Sequence, residues 1–166
     1  MRNPFRRLAW MLVKTWVHRT FPEVSRISTD QLADWLTSDR PSPILIDVRK
    51  PEEYAVSHLP GARHLPSVEA IQHSDIPTDA TVVLYCSVGY RSARRSQRLQ
   101  QAGYSHVINL DGSIFEWHNN GYPIVANQEP VQEVHPYNRW WKALLDDRSA
   151  AVDPRSSSDE SSSNAD

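Results

Sequence analysis

Thr81-Val82-Val83-Leu84-Tyr85-Cys86-Ser87-Val88-Gly89-Tyr90-Arg91-Ser92 runs from an apolar, β-rich stretch through a short glycine-containing turn into a helix-forming segment, and it holds the only cysteine of the chain. A strand that ends in a nucleophile just ahead of a helix puts one sulfur at the mouth of a ring of backbone N–H groups, where the helix N-terminus favours negative charge. A free thiol titrates near ~8.5, and at helix N-termini with cationic neighbours the value falls to roughly 3.5–7.5. A lone cysteine by itself is more often a small buried hydrophobe than a nucleophile. Gly89, which adopts backbone geometry that a Cβ resists, and Arg91, a fixed positive charge, turn the reading toward a reactive thiolate.

Outward from this loop the chain alternates strands and helices. Ile44-Leu45-Ile46-Asp47-Val48 and His106-Val107-Ile108-Asn109-Leu110 are apolar runs without strict alternation, as expected of strands covered on both faces. Ser28-Thr29-Asp30-Gln31 has the form of a capping box and predicts a helix to about Ser38, stopped by Pro41-Ser42-Pro43. A second helix is predicted from Ser92, as its N-cap, to Ala102, with Gly103 as its stop. The order strand, loop, helix, strand implies an α/β fold: a central parallel sheet with right-handed crossovers and helices on both faces. In open sheets of this kind reactive groups gather at the carboxyl ends of strands, where Asp47 and Cys86 both fall.

Bulk composition narrows the function classes. The 166 residues carry a net charge of −2 and 39% hydrophobic residues, a globular composition without a basic field for nucleic acid. One cysteine excludes an intramolecular disulfide and fits a reducing, cytoplasmic setting. No cysteine spacing or paired-histidine motif suggests a metal, and no cofactor is implied.

The two ends differ from the middle, and four segments are expected: 1–26, 27–126, 127–147 and 148–166. Residues 1–22 include Arg2, Arg6, Arg7, Lys14 and Arg19 but no acid, and they read as a basic amphipathic helix with Phe5, Leu8, Leu12 and Trp16 on one face. Lys14 interrupts a run already too short to span a membrane, and no small-x-small cleavage site follows, so export is not expected. Two dispositions stay open: packing on its own domain or a second copy, the favoured one, and lying on an anionic membrane surface. Residues 127–147 form an aromatic, basic extension in which Trp140 or Trp141 is expected to cover the domain's own apolar surface beside the N-terminal helix. The Ser-rich, acidic stretch 148–166 is expected to be a disordered tail.

Four features occur together and in order: Asp47-Val48-Arg49 with Glu53-Tyr54, His58-Leu59-Pro60-Gly61-Ala62, the Cys-x-x-Gly-x-Arg-Ser loop, and Gly103-Tyr104 through Leu110, Gly112, Trp117 and Gly121-Tyr122-Pro123. The set resembles the single-domain rhodaneses of the rhodanese-like sulfurtransferase superfamily. That resemblance implies a rhodanese-like fold, a Cys86 that cycles through a persulfide, and sulfur transfer from a small anionic donor such as thiosulfate to an external thiol, cyanide or a thioredoxin-like acceptor. The ring from Cys86 to Arg91 has the six residues that the superfamily associates with sulfur rather than phosphoryl transfer. The amides of Ser87, Val88, Gly89, Tyr90, Arg91 and Ser92 would cradle the sulfur, and Arg91 would also bind the donor. Asp47 is expected beneath the loop, Arg49 is expected to brace the domain through an acid such as Glu53, and His58 and Trp117 are expected to be structural. Ser57 and Ser113 stand where the family usually has glycine, with no expected contact to the reactive loop. The alternative function is a binding or tethering module with little catalysis.

Overall fold

A computed structural model describes residues 4–138 and 141–146, so the expectations for Trp140 and for the Ser-rich stretch 148–166 lie outside the described residues. Helix α1 (Pro4–Thr20) leads to β1 (Ser25–Ile27), α2 (Thr29–Leu36), β2 (Ile44–Asp47), α3 (Pro51–Val56), β3 (Arg63–His64), α4 (Val68–Gln72) and β4 (Thr81–Tyr85). There follow α5 (Tyr90–Gln101), β5 (His106–Leu110), α6 (Ser113–Asn119), the hairpin strands β6 (Ile124–Ala126) and β7 (Glu129–Val131), and a 3-10 turn, Trp141–Leu144. The capping box forms as expected: Ser28 Oγ accepts from the Gln31 amide at 3.2 Å, and Gln31 Oε1 accepts from the Ser28 amide at 3.0 Å. The helix it starts closes on Thr37, short of Ser38, where the Thr37 amide and hydroxyl both turn back to the Ala33 carbonyl.

Five strands form one parallel sheet in the order β1-β5-β4-β2-β3, with β4 at its centre. Both faces of the central strands are buried, which is why their sequences do not alternate. Leu45, Val83 and Tyr85 point into a core completed by α2, α6 and α1, whereas Ile46, Val82, Leu84 and Val107 point into a second core under α4 and α5. The register sets Asp47 opposite Tyr85, so the ends of β2 and β4 are level and the following residues emerge on one edge of the sheet. The sheet begins at Ser25, inside the segment assigned to the N-terminal helix, because Ser25 and Arg26 pair with Ile108 and Asn109.

Helix α1 packs on the domain itself. Val17 is buried with Phe21, Val24 and Ala93, while Ala9, Trp10 and Val13 lean on the core and on the 3-10 turn. Lys14 Nζ lies 2.6 Å from Glu116 and 3.5 Å from Asp111, His18 lies 3.0 Å from Asp111, and Arg6 pairs with Asp146. The C-terminal extension closes over the same region as expected. Trp141 packs against the core beside α1, Leu144 is buried, and Asn119 clasps the strap by donating to the Leu144 carbonyl at 2.7 Å and accepting from the Asp146 amide at 2.8 Å. The face shared by Phe5, Leu8, Leu12 and Trp16 is turned outward, and the sector through Ala9, Val13 and Val17 makes the contact instead. The same sector brings Arg6 within reach of Asp146.

Candidate active site

Cys86 is the first residue past β4, and its loop is held from below by main-chain bonds that tie it to α6: the Ile114 amide donates to the Cys86 carbonyl at 3.2 Å and the Phe115 amide to the Ser87 carbonyl at 3.1 Å. The turn itself depends on Gly89, which caps α5 with φ +105°, a left-handed conformation that a side chain would strain. In this turn the Gly89 amide donates to Cys86 Sγ at 3.2 Å and Ser92 Oγ donates at 3.5 Å. Ser92 therefore sits inside the first turn of α5 rather than capping it, and its hydroxyl points at the sulfur instead of at a free amide.

The cysteine is 1% exposed, and burial alone raises its thiol pKa. The positive charge of Arg91, the Ser92 hydroxyl and the amides of Ser92 and Gly89 outweigh that penalty and hold the thiol below its ordinary value. The arrangement therefore favours the thiolate of a buried sulfur that faces several donors, which is the form in which sulfur is nucleophilic.

The loop's charge is held by a second network. Glu53, 1% exposed on α3, receives Arg91 Nη1 at 2.8 Å, Arg91 Nη2 at 2.7 Å and Ser87 Oγ at 2.9 Å, and Arg91 Nη2 also reaches Ser87 Oγ at 2.9 Å. Burial raises the Glu53 carboxyl, but Arg91, the Lys50 amide and the Ser87 hydroxyl pull it down to about 2. Tyr137 of the C-terminal extension lies over the guanidinium at 4.5 Å, and Trp16 of α1 stacks on Tyr90 with ring centres 4.3 Å apart. Helix α1 and the segment at Tyr137 thus both rest on the reactive loop. Val88 enters the sheet core, so Ser87, Val88 and Tyr90 anchor the loop through side chains directed at neighbouring elements.

This geometry bears on the sequence expectations for Arg49, Asp47, Arg91 and Ser113. Arg49 does not pair with Glu53; it is fully buried and grips Asp47, with Nη2 at 2.6 Å from Oδ2 and Nε at 3.0 Å from Oδ1, while Nη2 also donates to the Ser57 carbonyl at 2.5 Å. Asp47 is correspondingly occupied by the Arg49 side chain and amide. Arg91 presents both Nη groups to Glu53 and Ser87, which ties the guanidinium to the loop beside the sulfur. Finally, Ser113 does touch the loop: its Oγ accepts from the Cys86 amide at 3.1 Å and donates to the Leu110 carbonyl at 3.1 Å, at a backbone φ of +50°. A glycine there could fit the backbone but could not supply that acceptor.

Asn109, whose Nδ2 donates to the Gly89 carbonyl at 3.2 Å, and Tyr137 are site residues that sequence reasoning missed; only their neighbourhood to the motif in space reveals them. His58 is structural as expected, stacked on Tyr54 at 3.9 Å with its main chain bridged to Val125. Trp117 is a core residue whose Nε1 donates to the Pro123 carbonyl. Among the described residues no group of His, Cys, Asp or Glu side chains converges as a metal site.

Comparison with known proteins agrees with this geometry. The rhodanese-like domain family model matches residues 28–120. A protein named sulfurtransferase from Allochromatium vinosum is 40% identical over 104 residues, covering 62% of this chain and 96% of that relative. The thiosulfate sulfurtransferase GlpE of Ectopseudomonas mendocina is 34% identical over 98 residues, covering 57% and 85%. The chain also spans 24% of the length of a probable adenylyltransferase/sulfurtransferase of Mycobacterium tuberculosis. Among solved structures, the rhodanese-like domain of the Alr3790 protein from Anabaena sp. superposes with a TM-score of 0.57 at 23% identity, over 68% of this chain and 89% of that one, a likeness of fold.

Proposed function

This chain belongs to the rhodanese-like domain family, and from that premise we propose that it is a sulfurtransferase that carries a sulfane sulfur on Cys86. The observation that carries the reading is the setting of the sulfur: a single cysteine at a strand end, with donors from Gly89 and Ser92 and the charge of Arg91 lowering its pKa. In the first step the Cys86 thiolate attacks the outer sulfur of a donor such as thiosulfate. A Cys86 S–S bond forms, the donor's S–S bond breaks, and sulfite leaves with the electron pair. The persulfide anion that remains is stabilised by the same donors that favour the thiolate. In the second step an acceptor nucleophile attacks the outer sulfur, and Cys86 departs as thiolate.

Two features of this chain shape the proposal. The sequence holds no second cysteine to attack the persulfide from within, so the acceptor is external: a low-molecular-weight thiol, cyanide in an assay, or a thioredoxin-like protein. The 1% exposure of Cys86 suits a slender donor or a protruding terminal sulfur. The occupied Arg91 argues against phosphoryl chemistry, because a phosphoryl dianion needs donors for three oxygens and the arginine fork is already bound to Glu53.

The test is formation of thiocyanate from thiosulfate and cyanide by the full chain, with mercaptopyruvate as a second donor. The proposal expects turnover by the native protein and none by Cys86→Ser. Absence of turnover with both donors, or equal turnover by the variant, would overturn it.

A further inference from the structure

Helix α1 has two faces of different fate. Its inner sector is packed on the domain, but a second apolar sector remains on the surface, with Phe5 80%, Leu12 61%, Met11 58%, Leu8 50% and Trp16 47% exposed. Such side chains at spacings of three and four along one helix form a continuous stripe rather than scattered surface residues. Beside the stripe, a groove of about 450 Å³ opens between α1 and the 3-10 turn, lined by Phe5, Ala9, Val13, Trp141 and Leu144.

Charge indicates what covers this stripe. Helix α1 contains no acidic residue. Arg6, Lys14 and His18 are paired within the molecule, whereas Arg7 and Arg19 make no ion pair among the described residues and flank the stripe. A second copy packed stripe to stripe would oppose two acid-free basic helices, and like charges across such an interface oppose association. An anionic bilayer answers both demands: its acyl region accepts the leucines and methionine, its headgroups accept the arginines, and Trp16 lies at the border where indole rings favour the interface. Among the described residues no helix is long and apolar enough to cross a membrane, so the geometry is that of a helix lying in the surface.

We propose that the outward face of α1 seats this protein on anionic lipid. Because Trp16 also stacks on Tyr90, seating brings the Cys86 loop beside the bilayer surface.

The experiment is co-sedimentation of the full chain with vesicles of phosphatidylcholine alone and with added phosphatidylglycerol. The native protein is expected to pellet with the anionic vesicles, less with the neutral ones and less at high salt. Leu8→Asp combined with Leu12→Asp should lower the bound fraction about tenfold or more. Arg7→Gln combined with Arg19→Gln, which leaves the helix and its packed face intact, should erase the preference for anionic vesicles. Native protein that stays in solution with anionic vesicles, or variants that bind as the native chain does, would overturn the proposal. So would a dimer in sedimentation that the leucine substitutions dissociate, since the stripe would then belong to a second copy. The readout is binding, so it stands or falls apart from sulfur transfer.

Discussion

Replacing Glu53 by Gln removes one charge from beneath the reactive loop while keeping the shape of the side chain, and the consequence can be worked out. In the folded protein the carboxyl is held at about 2 against an ordinary value of 4.5, chiefly by Arg91 acting against burial. That depression corresponds to about 3 kcal/mol of stability at neutral pH. Because the folded-state pKa is the lower one, the contribution is complete above the unfolded value of 4.5 and is lost as pH falls toward about 2. Gln imitates the protonated acid, so Glu53→Gln should lose about 3 kcal/mol in urea denaturation at neutral pH, similar to other buried pairs deprived of one partner. The deficit should shrink steadily as the measurement is moved to about pH 3. A loss below about 1 kcal/mol, or one that is the same at both pH values, would refute the assignment of Glu53 as the counter-charge of Arg91.

Alkylation of Cys86 followed against pH should show its midpoint lowered from that of an ordinary thiol, with the rate falling as pH drops through that lowered midpoint, and Arg91→Gln should move the midpoint upward. Asp47→Asn should destabilise by about 3–5 kcal/mol in thermal or urea unfolding, because it leaves the buried Arg49 uncompensated, yet leave the alkylation midpoint in place. Ser113→Ala should cost about 1–3 kcal/mol by depriving the Cys86 amide of its acceptor, and Ser113→Gly should cost less because glycine relaxes the φ of +50°.

The central sheet and the Cys86 loop were legible because their signals are local. β2, β4 and β5 are apolar runs of four or five residues, the box at Ser28 to Gln31 is a local hydrogen-bond pattern, and Gly89 marks a turn that requires positive φ. β1, β3, β6 and β7 are two or three residues long, too short to carry a period, and are strands only because neighbours pair with them.

The site's second network was not legible for a different reason. Glu53 and Arg91 are 38 residues apart, and nothing local distinguishes Arg91 from Arg49 as the partner of Glu53; the fold decides by placing Asp47 against Arg49 first. Ser113 was misread for the same reason, since its contact with Cys86 spans 27 residues. In α1 the apolar residues surround most of the helix, so the sequence marks an amphipathic element without marking its inner face. Packing resolves that through Val17 and the ion pairs of Lys14 and Arg6.

The most direct test of the account is the intact mass of the full chain after incubation with thiosulfate, then with cyanide, alongside Cys86→Ala. The account predicts a gain of one sulfur, about 32 Da, that cyanide removes and that the variant never acquires. No gain in the native protein, or the same gain in the variant, would contradict it.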